Sequence, residues 1–220
     1  MKLRVGVLVS GRGTNLQALI DACADGRLDA RIVYVASSRK QVPALERAAA
    51  AGIPAAAFPP AANGGREAAQ LLMAARLRAE DVDLVVLAGF DRILCDAFFA
   101  RLGDVPVINI HPALLPAFGG MHGIAVHQAV LDAGVAETGV TVHRAHAGQV
   151  DAGEILIQRR VPVLSGDDAE TLAARVLAEE HRAIVDAVAL LAAATPLDPT
   201  AQVMPAAGAA RSTQVAPRVP

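Results

Sequence analysis

The chain has 220 residues, 54% of them hydrophobic and 3% aromatic, with 20 basic against 22 acidic side chains and a formal net charge of −2. That size and apolarity suit one well-cored domain and exclude a chain disordered throughout. The near-neutral balance gives no electrostatic reason for a nucleic-acid or anionic-membrane partner, and the two cysteines, Cys23 and Cys95, are too few and too far apart for a disulfide framework.

Val5 to Val9 opens the chain as a buried strand; as an apolar run it is too short for a secretion signal, and no segment approaches the ~20 apolar residues of a membrane span. The expected setting is cytoplasmic. Leu16 to Ala24 then reads as a helix, Ile32 to Ala36 as a strand and Ala44 to Ala51 as a helix. Glu67 to Arg78 follows as a helix, Leu84 to Leu87 as a strand, Leu94 to Leu102 as a helix and Val107 to Ile110 as a strand. This βαβα order predicts an α/β fold with a single Rossmann-like open twisted sheet, mostly parallel, helices on both faces. From Thr138 the pattern changes: Gly139 to His143 and Ile155 to Val161 read as an antiparallel hairpin added at the sheet edge. A long helix from Asp168 to Ala193 comes next, capped by Gly166-Asp167-Asp168 and stopped at Thr195-Pro196. Residues 1–195 form the expected domain, and the Ala- and Pro-rich residues 196–220 read as a disordered tail. Runs such as Ala48 to Ala51 and Ala55 to Ala57 bury little per residue, so the core falls to Val, Leu and Ile.

Four features carry chemistry. Ser10-Gly11-Arg12-Gly13-Thr14-Asn15-Leu16-Gln17 is a glycine-rich turn leaving the first strand for the first helix, where free N–H groups and the helix dipole suit a phosphate. Leu16 breaks the dinucleotide fingerprint and no P-loop lysine follows, so the turn either holds a phosphate-type ligand or is a tight βα connection that binds nothing. Asn109-Ile110-His111-Pro112 places Asn109 and His111 on one side at the end of a buried strand. An amide and an imidazole there can polarise a carbonyl and move protons, or the pair is a polar strand end with a satisfied histidine. Asp151, in Val150-Asp151-Ala152-Gly153, is a turn former unless folding brings it to His111. Glu180 occupies the remaining position of the stripe Leu172, Val176, Ile184 and Val188, so it sits either at the stripe's edge in water or against a cationic ligand group. His122, His127, His143 and His146 gain no cysteine or carboxylate cluster, and no metal site is expected.

Taken together, these motifs resemble the phosphoribosylglycinamide formyltransferases, a folate-dependent family. The resemblance runs from Val5 to about Val188 and rests on residues 10–17, Leu-Ala-Gly-Phe-Asp-Arg-Ile-Leu at 87–94, Asn-Ile-His-Pro-Ala-Leu-Leu-Pro at 109–116 and Val-Asp-Ala-Gly at 150–153. It implies the formyltransferase fold and transfer of the formyl group of 10-formyltetrahydrofolate, a co-substrate, to the amino group of glycinamide ribonucleotide. It further implies that Gly13, Thr14 and Asn15 hold the substrate phosphate and that Glu180 contacts glycinamide ribonucleotide. Asp91, Arg92, Ile93, Leu94 and Asn109 would line the folate pocket with Arg66 nearby, and Asn109, His111 and Asp151 would be catalytic, Asp151 keeping His111 charged. Two positions depart from the family pattern. Asp91 stands where an apolar residue is usual, and the His143 to Asp151 segment is one residue longer, with Arg144 where an aromatic is common. Competing readings are a formyltetrahydrofolate hydrolase, a methionyl-tRNA formyltransferase, both of which generally carry an extra domain, and a silent phosphate- or folate-binding module. A monomer or a homodimer is expected.

Overall fold

In the computed structural model, which describes residues 2–194, the buried apolar runs assemble into one seven-stranded sheet. The strands are β1 (Leu3–Val9), β2 (Ala30–Ser37), β3 (Ala55–Ala57), β4 (Leu84–Leu87), β5 (Val107–His111), β6 (Glu137–Arg144) and β7 (Ile155–Pro162), in the spatial order β3-β2-β1-β4-β5-β6-β7. β1 to β5 pair in parallel, and β6 and β7 run antiparallel at one end, as the sequence predicts. The helices are α1 (Thr14–Ala24), α2 (Pro43–Ala50), α3 (Arg66–Ala79), α4 (Asp96–Leu102), α5 (Ile124–Asp132) and α6 (Ala169–Ala193).

Two elements escape the sequence reading. β3 is three alanines, with no β-branched signal of its own, and becomes a strand only because β2 offers it a paired edge. α5 follows the glycines at 119, 120 and 123, which read as loop, and its nine residues show only weak amphipathic bias.

The core has two faces. On one, Val5, Val7 and Val9 of β1 meet Leu16 and Leu19 of α1, Ala44 and Ala48 of α2, and Ile184, Val188 and Leu191 of α6. On the other, Leu8 and Val85 meet Met73 and Leu77 of α3 and Phe98 and Leu102 of α4. α5 joins a smaller cluster in which Val130 packs with Val161 of β7 and Leu172 and Val176 of α6. α6 starts at a capping box: the Thr171 N–H donates to Asp168 Oδ1 at 2.8 Å and the Asp168 N–H to Thr171 Oγ1 at 3.0 Å. The predicted stop at Thr195-Pro196 and the predicted tail lie outside the described residues. Among the described residues, no helix is long and apolar enough to cross a membrane.

Strand order reverses at β1: the chain winds outward to β2 and β3, then returns to β4 on the other side. Loops leaving β1 and β4 therefore diverge to opposite faces and open a crevice at the strands' C-terminal ends, where ligands of open α/β sheets bind.

Candidate active site

A cavity of about 660 Å³ fills that crevice, lined by the turn after β1, the segment after β4, the end of β5 and the loops flanking α5 and β6. Gly13, at the first of these, begins α1 in the left-handed region (φ 72°), and no side chain caps the helix. The first-turn N–H groups of α1 are thus left for a ligand, as an anion site requires. A Cβ at Gly13 would lie 2.6 Å from Ala44 Cβ and 2.7 Å from Ala44 Cα, so only glycine lets α2 pack this close to the turn.

Asn15 donates through Nδ2 to Glu180 Oε2 at 2.7 Å, while its own Oδ1 is buried without a partner. Glu180 therefore does not sit at the stripe's edge in water. It faces Asn15 and the cavity, while Leu172, Val176, Ile184 and Val188 around it are fully buried. Burial raises its carboxyl above the ordinary glutamate range, against the Asn15 hydrogen bond and the charge of Arg12.

After β4, Asp91, Arg92, Ile93 and Leu94 line the cavity. The Asp91 carboxylate pairs with Arg39 and stands 3.5 Å from Arg92 Nε, and its backbone N–H donates to Ser10 Oγ at 3.1 Å. The Asp91 charge is thus met by two guanidinium groups. Arg66 opens α3, is exposed, and is not among the residues lining the cavity.

At the end of β5, Asn109, His111 and Asp151 converge. Asp151 Oδ1 accepts from Asn109 Nδ2 at 3.2 Å, and Asp151 Oδ2 lies 3.3 Å from His111 Nδ1 and accepts the Gly120 N–H at 2.8 Å. Asp151 is therefore more than a turn former, although it does take a left-handed turn conformation (φ 49°). Sequence reasoning missed a fourth member, His143, which is 2% exposed. Its Nδ1 donates to the Arg144 carbonyl at 2.9 Å, and its Nε2 lies 3.2 Å from Asn109 Nδ2 and 3.4 Å from Asp151 Oδ1. The available signal was register: an antiparallel β6 beside β5 pairs His143 with Asn109. The Gly120 N–H and the Phe118 carbonyl, backbone groups of a loop, left no trace in the sequence.

Both ring nitrogens of His111 face acceptors, Asp151 at Nδ1 and the Phe118 carbonyl at Nε2, 3.0 Å away. Only the imidazolium donates to both. Burial nonetheless holds His111 below the ordinary histidine range, with the nearby His143 adding to it and Asp151 and the Phe118 carbonyl pulling the other way. The expectation that Asp151 keeps His111 charged therefore meets an opposing desolvation that outweighs it. Burial also works against the Asp151 carboxylate, yet His143, the Gly120 N–H and the charge of His111 more than offset it and keep Asp151 below the ordinary aspartate range. Held toward its neutral form beside an ionised Asp151, His111 is set to accept a proton, as general-base work needs. Among the described residues, no group of three or more His, Cys, Asp or Glu is placed to hold a metal ion.

A doubly wound sheet with an uncapped helix start and an Asn-His-Asp cluster at its switch point places the chain among open α/β folds with a site at the strands' C-terminal ends. The chain belongs to the formyl transferase family, whose model matches residues 3–188. It is 46% identical over 189 residues to the phosphoribosylglycinamide formyltransferase of Mycobacterium tuberculosis, covering 86% of this chain and 85% of that one. It is also 46% identical over 191 residues to the trifunctional purine biosynthetic protein adenosine-3 of Drosophila pseudoobscura pseudoobscura, but spans only 14% of that protein's length, against 86% of its own. Among solved structures, glycinamide ribonucleotide transformylase 1 from Symbiobacterium toebii matches with a TM-score of 0.81 and 45% identity, over 87% of this chain and 88% of that one.

Proposed function

We propose that this protein transfers the formyl group of 10-formyltetrahydrofolate to the amino group of glycinamide ribonucleotide, a step of purine biosynthesis. The observation that carries the reading is the convergence of Asn109, His111 and Asp151 within 3.2 to 3.3 Å at the floor of a cavity whose far wall is the Gly13–Asn15 helix start. In this reading the substrate phosphate takes the free N–H groups of α1, and Glu180 contacts the glycinamide ribonucleotide. The segment 91–94 receives the folate, which brings its formyl carbon over Asn109 and His111.

The amine attacks the formyl carbon, a C–N bond forms, and the carbonyl oxygen becomes an oxyanion. Both Asn109 amide protons are engaged in the free protein, toward Asp151 and His143. The one directed at His143 is the one that turns to the oxyanion, since the other meets an ionised partner. His111, exchanging the Phe118 carbonyl for the reacting group, takes the ammonium proton and delivers it to N10 as the C–N10 bond breaks. Asp151 stabilises the transient imidazolium. Holding both substrates in line supplies a large share of the rate.

The decisive experiment mixes purified protein with 10-formyltetrahydrofolate, with and without glycinamide ribonucleotide, and follows loss of the formyl group from folate. Turnover only with the ribonucleotide is expected. Equal turnover in both mixtures would make the protein a hydrolase, and none in either would make it a silent binding module.

A further inference from the structure

The segment from His143 to Asp151 is where the chain departs from its family's spacing, and its anchoring is visible in the structure. Arg144 ends β6, and its N–H donates to the Glu154 carbonyl at 2.8 Å, closing residues 145–153 into a loop. Across the same base, Arg144 Nε bonds Glu154 Oε2 at 3.1 Å; the Arg144 side chain is 12% exposed and lies over the loop's root, while the Glu154 side chain, 40% exposed, covers it from the solvent side. Gly153 fits between them: a Cβ there would fall 1.8 Å from the Arg144 oxygen. That oxygen is also the one that His143 Nδ1 donates to, so the loop's root and the site's fourth member share one carbonyl.

Asp151 needs such a root. Its contacts to Asn109, His111 and His143 all lie between 3.2 and 3.4 Å, and its one short hydrogen bond among the described residues, from the Gly120 N–H at 2.8 Å, comes from another loop. Its aim is therefore set by the path of its own loop, and a small displacement would carry it out of reach of His111. We propose that the Arg144–Glu154 pair is a latch that closes the base of this loop and holds Asp151 against His111, making Arg144, Gly153 and Glu154 positioning residues for proton transfer. The inference rests on the catalytic reading of His111 and Asp151. The charge at position 144 has its partner ten residues on, at Glu154.

The test uses the full chain with labelled histidine. His111 is faced by Asp151 from this loop, His143 from β6, His127 from α5 and the Phe118 carbonyl, and of these Asp151 is the charge that lifts its titration. In Glu154→Gln and Arg144→Met the His111 midpoint, read by NMR and assigned against His111→Asn, is expected to move further down. In the same variants kcat is expected to fall between about tenfold and about a hundredfold, the scale of a ~1 Å misplacement, with KM for glycinamide ribonucleotide unchanged. The exchanged pair Arg144→Glu with Glu154→Arg is expected to restore both. A lower melting temperature with an unmoved His111 midpoint and unchanged kcat would overturn the latch, as would an exchanged pair no better than the single variants. Absence of formyl transfer by the unaltered protein would instead sink the proposed function, while the NMR midpoint would still report on the latch.

Discussion

Replacing Asp151 by asparagine removes one charge from the site and leaves its shape nearly unchanged. The carboxylate is 3.3 Å from His111 Nδ1, and both side chains are almost wholly buried. Two unit charges at that separation attract by about 5 kcal/mol at an effective dielectric of ~20. Neighbouring hydrogen bonds and residual water reduce the part felt as a pKa change to ~1–3 units, at about 1.4 kcal/mol per unit. The imidazolium of the transition state is therefore expected to lose ~1.4–4 kcal/mol, which is about tenfold to about a thousandfold in kcat. Some further loss comes at Gly120, whose N–H must then find the amide oxygen rather than a carboxylate. The assay is steady-state formyl transfer from about pH 6 to about pH 8, beside calorimetric binding of each substrate, whose affinities are expected to hold. A kcat within about threefold of the unaltered protein across that range would refute the argument that Asp151 acts by stabilising His111.

Three other perturbations follow from the same geometry. Glu180 is raised in the folded state, so the fold keeps its proton when the unfolded chain has lost it; that advantage is full at acid pH and disappears as pH rises through and above the ordinary glutamate range. Glu180→Gln is expected to melt higher than the unaltered protein at neutral pH, to show less decline with rising pH in scanning calorimetry, and to bind glycinamide ribonucleotide more weakly. Gly13→Ala forces a left-handed residue against Ala44, and is expected both to lower the melting temperature and to abolish binding of the ribonucleotide's phosphate, read by titration calorimetry. Phe98→Ala empties a fully buried site between α3 and α4, where the ring meets Phe99 edge-on at 5.6 Å, and is expected to lose about 3–5 kcal/mol in urea unfolding.

The alternation of buried β-branched runs with alanine-rich helices made the parallel core of the sheet and five of the six helices legible, because β1, β2, β4 and β5 are apolar on both faces and each of those helices carries its own stripe. β3 was not legible, since three alanines have no preference until β2 pairs with them. At the site, Asn109 and His111 could be placed by strand alternation alone, and the Gly13 turn by its glycines and position before a helix. Asp151 could not be brought to His111 by local pattern, because the approach depends on the β6–β7 connection folding back. His143 fell out of view for a related reason: its partner is set by register across two strands, which a reading of one segment at a time does not reach. The electrostatic state of His111 is harder still. Its neighbours argue for charge and its burial against, and burial is a property of the assembled fold.

The hydrogen bond between Asn15 and Glu180 spans 165 residues of chain. It ties the first helix to the last, so the proposed ribonucleotide pocket comes into being only when α6 has docked beside α1 on the same face of the sheet. During synthesis from the N-terminus, the phosphate turn emerges early and waits without its opposite wall. A product truncated before α6 would therefore lack the Glu180 wall of the pocket, and glycinamide ribonucleotide would reward only finished molecules with added stability.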